Sequence, residues 1–77
     1  MIVSLFKLNK EEAGEFFGCA DPSMGKELIN YGFIVGVKVK IISKNNAGLV
    51  VDILDSYYSL NRILAEVILV RVDNNGS

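Results

Sequence analysis

Histidine is absent from the 77-residue chain, and this absence removes the commonest general base, the commonest zinc ligand and the base of a catalytic triad. Cysteine occurs once, as Cys19, so the chain cannot form an internal disulfide. Small secreted domains usually depend on several disulfides. We therefore expect a reducing compartment, most simply the cytoplasm.

Long apolar runs are also missing, since none approaches the roughly 18 residues of a transmembrane helix. The first eight residues show no basic region followed by a long apolar stretch, so we predict no signal peptide and no direct membrane insertion. The net charge of −1 provides no field that would recruit nucleic acid. A nucleic-acid partner is accordingly not expected.

Apolar material is plentiful. Hydrophobic residues make up 51% of the chain and charged residues 22%, which favours one compact core over disorder. The chain shows no internal repeat and no linker before its polar end. We predict a single domain over residues 1–72 and a frayed polar tail over residues 73–77.

Alternation of apolar and polar residues begins after Gly36 and predicts strands with one buried face. In the first such strand, apolar residues alternate with Lys38 and Lys40. Later segments repeat the pattern, with a turn at 44–48 and a tight hairpin at Asp55-Ser56. The predicted inward positions are Val37, Val39, Ile41, Leu49, Val51, Ile53, Tyr58, Leu60, Ile68 and Val70.

A short helix is predicted near residues 22–31. Asp21 suits the N-cap, and Pro22 suits the first helical position. Met24, Leu28 and Tyr31 give an apolar stripe at helical spacing, and Gly32 ends the helix. A further helical turn is predicted at 61–66. About five short strands with one short helix indicate a mostly β chain folded as a small barrel.

The order of these elements resembles the ferrous iron transport protein A (FeoA) family over about residues 4–72. The resemblance rests on the lead-in Ser4-Leu5 with Leu8, the segment Leu28-Ile29-Asn30-Tyr31-Gly32-Phe33-Ile34-Val35-Gly36, the turn at Gly48, and the ending Leu60, Ala65, Ile68-Leu69-Val70. The chain departs from the family pattern at Glu27, where arginine is common, and at Asp55, where glycine is common.

This resemblance implies an SH3-like barrel that accompanies the large membrane ferrous iron transporter as its protein partner. It also implies an alternative, because the same fold occurs as a C-terminal domain of metal-dependent repressors: a regulatory module acting on such a repressor. A homo-oligomer that uses its apolar face for self-association is a third possibility. In each case we expect no catalysis and no cofactor.

Several residues could carry chemistry, and each has a simpler structural interpretation. Cys19 lacks a second cysteine and fits a packed strand thiol. The acidic residues Glu11, Glu12, Glu15, Asp52 and Asp55 fit a solvated surface better than a metal site. Lys38 and Lys40, with Lys44 and Arg71, fit a soluble strand face. We therefore predict no catalytic and no metal-binding residues.

Exposed aromatic and apolar residues are the remaining candidates for a site. Phe33 and Ile34 follow the end of the predicted helix, and Tyr57 has outward parity on its strand. Such residues on a small barrel often mark a protein-binding surface. We predict partner binding through Phe33, Ile34 and Tyr57, with closure of the barrel ends as the structural alternative for these residues and for Tyr58.

Overall fold

The computed structural model describes residues 1–73, so the tail predicted for residues 73–77 lies outside the described residues except for Asp73. The strands are β1 (Ile2–Ser4), β2 (Ala13–Cys19), β3 (Lys38–Asn45), β4 (Gly48–Ile53), β5 (Ser56–Asn61) and β6 (Ile68–Arg71). The helices are a 3₁₀ helix (Leu5–Lys7), α1 (Pro22–Gly25), a second 3₁₀ helix (Leu28–Tyr31) and α2 (Arg62–Val67).

The strands form one antiparallel sheet in the order β1-β6-β2-β3-β4-β5, so β1 and β5 are its two edges within the described chain. The mostly β fold is confirmed. The additional, sixth strand is β1, which pairs Ile2 with Arg71 and Ser4 with Leu69. β1 was not predicted because three residues are too few to show an alternating pattern. Its pairing with β6 is what defines it as a strand.

The predicted alternation places one face of the sheet in the core. Val39, Ile41, Val51 and Val70 are fully buried, and Lys38 and Lys40 of β3 lie on the other face. Burying a side chain of this type contributes about 1.5–3 kcal/mol. The buried core consists of Leu5, Leu8, Phe16, Leu28, Phe33, Val39, Ile41, Leu49, Val51, Ile53, Leu60, Ala65, Ile68 and Val70.

The helix predicted for residues 22–31 is interrupted. α1 ends at Gly25, and a separate 3₁₀ helix begins at Leu28. Glycine is a poor helix former, and a single turn gains too little from propagation to continue past it. Of the predicted apolar stripe only Leu28 is fully buried, whereas Met24 and Tyr31 are half-buried.

The start of α1 is fixed as the sequence predicts. The Asp21 carboxylate accepts hydrogen bonds from the Ser23 hydroxyl at 2.7 Å and from the Ser23 backbone N–H at 3.0 Å. The hydroxyl bond is the largest cause that lowers the pKa of Asp21, and the backbone bond adds to it. Because both donors stabilise the charged carboxylate, the cap is strongest when Asp21 is ionised.

Two bulges bend the sheet around its core. In the β2–β6 pairing the register shifts between Phe16 and Gly18. A second shift lies between Ile41 and Ser43 in the β3–β4 pairing. α2 lies before β6, at the position of the helical turn predicted for residues 61–66. The side chain of Asn61 caps α2 by accepting a hydrogen bond from the Leu64 N–H at 2.8 Å.

Candidate protein-docking site

The loop between the second 3₁₀ helix and β3 begins with a left-handed cap. Gly32 has φ 91°, and its N–H donates to the carbonyls of Leu28 and Ile29. The next residue, Phe33, is only 4% exposed, and its ring meets Phe16 edge-on with 5.1 Å between centroids. The interpretation of Phe33 as an exposed partner-binding residue is therefore corrected. Its ring enters the core because the left-handed glycine turns the chain back towards the sheet.

Ile34 and the neighbouring Val35 remain on the surface. Ile34 is 60% exposed, in a turn closed by Val37 N–H, which donates to the Ile34 carbonyl at 2.8 Å. The next residue, Gly36, donates its N–H to the Phe16 carbonyl at 2.9 Å. The loop is thus tied to β2 on one side and anchored by Phe33 on the other, so it presents two apolar side chains on a fixed backbone.

A second exposed segment is the hairpin that joins β4 to β5. Its two turn residues are Leu54 and Asp55, both with positive φ, at 53° and 67°. The turn predicted at Asp55-Ser56 is therefore shifted by one residue, since Ser56 already pairs with Ile53. Positive φ at both central positions defines a type I′ turn, the hairpin turn that matches strand twist.

Leucine rarely occupies this left-handed conformation, which costs an L-residue about 1–2 kcal/mol. Leu54 nevertheless has φ 53° and leaves 69% of its surface exposed. Tyr57, three residues further on, is 65% exposed on the outward face of β5. A strained, exposed leucine beside an exposed tyrosine is unusual on a surface that serves solubility alone.

The structure brings these two segments together. The rings of Tyr31 and Tyr58 lie 5.1 Å apart between centroids, and a Cβ on Gly32 would lie 3.6 Å from Cδ1 of Leu54. The loop and the hairpin tip are therefore in contact. We name the exposed apolar residues of these two segments and of the adjoining 3₁₀ helix the apolar rim, which comprises Ile29, Ile34, Val35, Leu54 and Tyr57.

Of the predicted site residues, Ile34 and Tyr57 belong to the rim, while Phe33 supports it from below. The sequence analysis missed Leu54, Ile29 and Val35. Leu54 had a signal in the sequence, because the inward positions Leu49, Val51 and Ile53 give it outward parity beside a turn.

A shallow charged depression lies beside the rim. Its volume is about 250 Å³, and it is lined by Val37, Lys38, Lys40, Asp52, Leu54 and Asp55. Lys40 also forms an ion pair with Glu11 at 3.3 Å, in which both side chains are largely exposed. Exposed pairs of this kind contribute little to stability.

Cys19 lies at the end of β2, where its Sγ donates to the carbonyl of Asp21 at 3.1 Å. The thiol is half-buried, as expected for a packed strand cysteine. Among residues 1–73, no group of three or more histidine, cysteine, aspartate or glutamate side chains is positioned to hold a metal ion. No helix in the same residues is both long and apolar enough to cross a bilayer.

The structure divides the four cations that were expected on a soluble strand face, Lys38, Lys40, Lys44 and Arg71. Glu15 lies in register between Lys38 and Arg71 on the two neighbouring strands. Lys44 instead turns towards the first 3₁₀ helix, where its ammonium group donates to the carbonyls of Phe6 at 2.7 Å and Leu8 at 3.1 Å. These four cations therefore do not form one continuous surface.

The arrangement is that of a small, mostly β SH3-like barrel with an exposed apolar rim. The FeoA domain family matches residues 4–72, and the chain belongs to this family, whose members are involved in ferrous iron uptake. No curated protein sequence matches the chain significantly.

Solved structures show the same fold. A crystal structure of an iron uptake regulatory protein (FeoA) is 17% identical, with a TM-score of 0.82 over 92% of this chain and 96% of that one. A manganese-dependent transcriptional repressor is 17% identical, with a TM-score of 0.81 over 94% of this chain but 42% of that one. T. acidophilum IdeR is 20% identical, with a TM-score of 0.81 over 94% of this chain and 34% of that one.

Proposed function

We propose that this chain is a non-catalytic accessory protein of ferrous iron uptake, which binds the large membrane ferrous iron transporter and supports its assembly or activity. The observation that carries the proposal is the family match over residues 4–72. The match places the chain in ferrous iron uptake, and the apolar rim supplies a surface for a protein partner. The transporter is the proposed partner because the FeoA resemblance implies it.

The rim has the properties of a docking surface. Ile34 and Tyr57 offer large, exposed side chains on backbone that is held in place, so little conformational entropy is lost when they are covered. Leu54 adds an apolar side chain at the hairpin tip. The charged depression lies next to Leu54 and supplies the polar border that surrounds the apolar centre of most interfaces.

We place the encounter on the cytosolic side of the membrane. The single cysteine of the chain favours a reducing compartment. The absence of histidine from the sequence supports a binding role over an acid–base reaction. The chain acts in this proposal by contact, with no group of its own taking part in chemistry.

The test is a binding titration between the purified chain and the purified cytosolic domain of the transporter from the same host. Ile34→Ser and Tyr57→Ala are expected to raise Kd about tenfold each, since each removes an exposed apolar contact from the interface. Ile63→Ser is the matched control, because Ile63 is 68% exposed but lies on α2, outside the rim. Its Kd should equal that of the wild type.

Two results would contradict the proposal. Absence of binding by the folded wild-type chain would remove the transporter as a partner. Equal losses in Ile34→Ser and Ile63→Ser would show that the rim is not the surface used. Unfolding curves for each variant separate lost contacts from lost structure.

The alternative function is a regulatory module that acts on a metal-dependent repressor. One observation favours it: the chain superposes on 42% of a manganese-dependent transcriptional repressor, as a domain of that protein would. The same titration with the host's own repressor tests this alternative. Neighbouring reading frames add a second criterion, since a large membrane transporter favours the first function and a winged-helix repressor favours the second.

A further inference from the structure

The edge strand β5 pairs with β4 on one side only, so its other side carries backbone N–H and C=O groups that the apolar rim does not account for. Its hairpin with β4 has a two-residue type I′ turn, and such a turn is closed by a hydrogen-bonded pair, here Ile53 with Ser56. Hydrogen-bonded and non-hydrogen-bonded pairs alternate along an antiparallel ladder. Tyr58 and Leu60 therefore bond to β4, whereas Tyr57 and Ser59 direct their N–H and C=O groups away from it.

Those outward groups have no partner elsewhere in residues 1–73, since β5 pairs with β4 alone and no other described bond reaches the backbone of Tyr57 or Ser59. The opposite edge differs. β1 has three residues, and Ser4 at its end donates its hydroxyl to the α2 carbonyl of Glu66 at 2.9 Å. The described sheet thus has one short edge tied to α2 and one longer edge that is open.

Edge strands in monomeric proteins are usually protected by lysine, proline or a bulge. β5 has the sequence Ser-Tyr-Tyr-Ser-Leu-Asn and contains none of these residues, and both bulges of the sheet lie in other strand pairs. Its side chains carry no charge, so a second strand would meet no electrostatic repulsion along its length. This edge is suited to pairing with another strand.

We propose that β5 pairs antiparallel with β5 of a second copy of this chain, about a two-fold axis that passes beside Tyr58. In this register Tyr57 of one copy faces Ser59 of the other. Each such pair exchanges two backbone hydrogen bonds, and the symmetry generates the pair twice. The open groups of the edge are satisfied by the same groups of the partner copy.

The charges at the ends of β5 favour this self-pairing. Asp55 immediately precedes the strand, and Arg62 immediately follows it. Antiparallel pairing brings the acidic end of one copy beside the basic end of the other. Arg62 donates through Nε to Glu66 at 3.0 Å, and its guanidinium lies over the Phe6 ring with 4.7 Å between Cζ and the ring centroid, so its remaining N–H donors would turn from this ring to meet an aspartate.

The position of Tyr58 also favours pairing of β5 with β5 of a second copy. It lies on the inward face of β5, is half-buried, and packs on Tyr31 with 5.1 Å between ring centroids. The proposed axis places Tyr58 directly opposite Tyr58 of the second copy, in a non-hydrogen-bonded pair where side chains are closest. The two aromatic pairs would join into one cluster and cover ring surface that the single chain leaves exposed.

The first experiment measures the mass of the chain by sedimentation over a concentration series. The wild type should show a monomer–dimer equilibrium. Ser59→Pro removes the outward N–H of each copy without loss of a β4 bond, and it should weaken the dimer about tenfold or more. Ser59→Lys should weaken it as well, by placing like charges across the axis. Ser43→Lys, an exposed serine on the interior strand β3, is the control and should dimerise like the wild type.

Amide hydrogen exchange gives a readout specific to backbone pairing. The amide protons of Tyr57 and Ser59 should exchange quickly in dilute protein and become protected as the concentration rises, while that of Tyr58 stays protected throughout. A wild type that remains monomeric at every concentration would overturn the proposal. So would a dimer that Ser59→Pro and Ser59→Lys leave intact, or protection of these amides by the transporter domain alone.

This self-pairing is tested separately from the proposed transporter binding. It uses the backbone of β5, so it shares Tyr57 with the rim, but it does not use the backbone of Ile34 or Val35. Ser59→Pro tests the edge, and Ile34→Ser tests the rim. Failure of one proposal therefore leaves the other standing.

Discussion

Tyr31 and Tyr58 pack with their rings tilted 42° and their centroids 5.1 Å apart. One belongs to the second 3₁₀ helix and the other to β5, so this contact fixes the loop after the helix against the hairpin. Aromatic pairs of this geometry contribute about 0.5–1.5 kcal/mol beyond the area they bury. The same contact supports the apolar rim on one side and lies beside the open edge on the other.

Leu54→Asn should raise the stability of the fold and lower the affinity for the transporter domain. Leu54 is held at φ 53°, which asparagine adopts more readily, and its side chain is mostly exposed, so little burial is lost. We expect the free energy of unfolding in urea to rise by about 1 kcal/mol. The affinity for the transporter domain should fall, because the apolar side chain is gone.

The control for Leu54→Asn is Ile63→Asn, which removes an exposed apolar residue of similar size on α2. This variant should gain no stability and lose no affinity. A decrease in the stability of Leu54→Asn would show that the leucine side chain contributes more by packing than its backbone conformation costs.

Phe33→Ala should act on the fold and not selectively on binding. The ring is buried among core residues and meets Phe16 edge-on, so truncation is expected to cost about 3–5 kcal/mol. That is a large part of the stability of a domain of this size. Thermal unfolding followed by circular dichroism would measure the loss.

Tyr57→Ala is the comparison for Phe33→Ala, because Tyr57 is exposed. Its unfolding temperature should stay close to that of the wild type. If both variants unfolded at the wild-type temperature, the buried position assigned to Phe33 would be wrong.

The sequence predicts the inward faces of the sheet because side chains alternate along a strand. Val39, Ile41, Val51 and Val70 were all expected in the core and lie there. The same reasoning assigns Tyr57 outward. It depends only on local periodicity, which each strand carries in its own residues.

The buried position of Phe33 could not be predicted from this periodicity. Its side chain follows a left-handed glycine, and its direction depends on how the loop meets β2, which no periodic pattern encodes. Leu54 is a similar case. The hairpin turn was expected one residue later, because Asp55 is a better turn former than leucine, but the pairing of Ile53 with Ser56 sets the turn.

Ser23→Ala should raise the pKa of the Asp21 carboxyl towards its ordinary value, since the Ser23 hydroxyl is the largest cause of the lowered pKa. The folded state lowers this pKa relative to the unfolded chain. The cap therefore stabilises the fold above the unfolded-state pKa, and this contribution is lost as the pH falls through the folded-state pKa. A carboxyl carbon titration by NMR measures both values.

Two observations would check the assignment of the Asp21 shift. The backbone N–H of Ser23 remains in Ser23→Ala, so the pKa of Asp21 should stay somewhat lowered. An unchanged Asp21 midpoint in the variant would show that the hydroxyl bond is not formed in solution.

Gly48→Ala and Gly18→Ala should have opposite effects on stability. A Cβ on Gly48 would collide with the backbone carbonyl oxygen of Leu60 on β5, and neither strand can move without loss of ladder bonds. We expect a cost of about 3 kcal/mol or more. A Cβ on Gly18 would meet nothing within 4 Å, so this variant should gain about 0.5 kcal/mol from the smaller entropy of its unfolded chain. Urea unfolding of both proteins provides the comparison, and a Gly48→Ala protein as stable as the wild type would show that β4 and β5 are further apart than this structure places them.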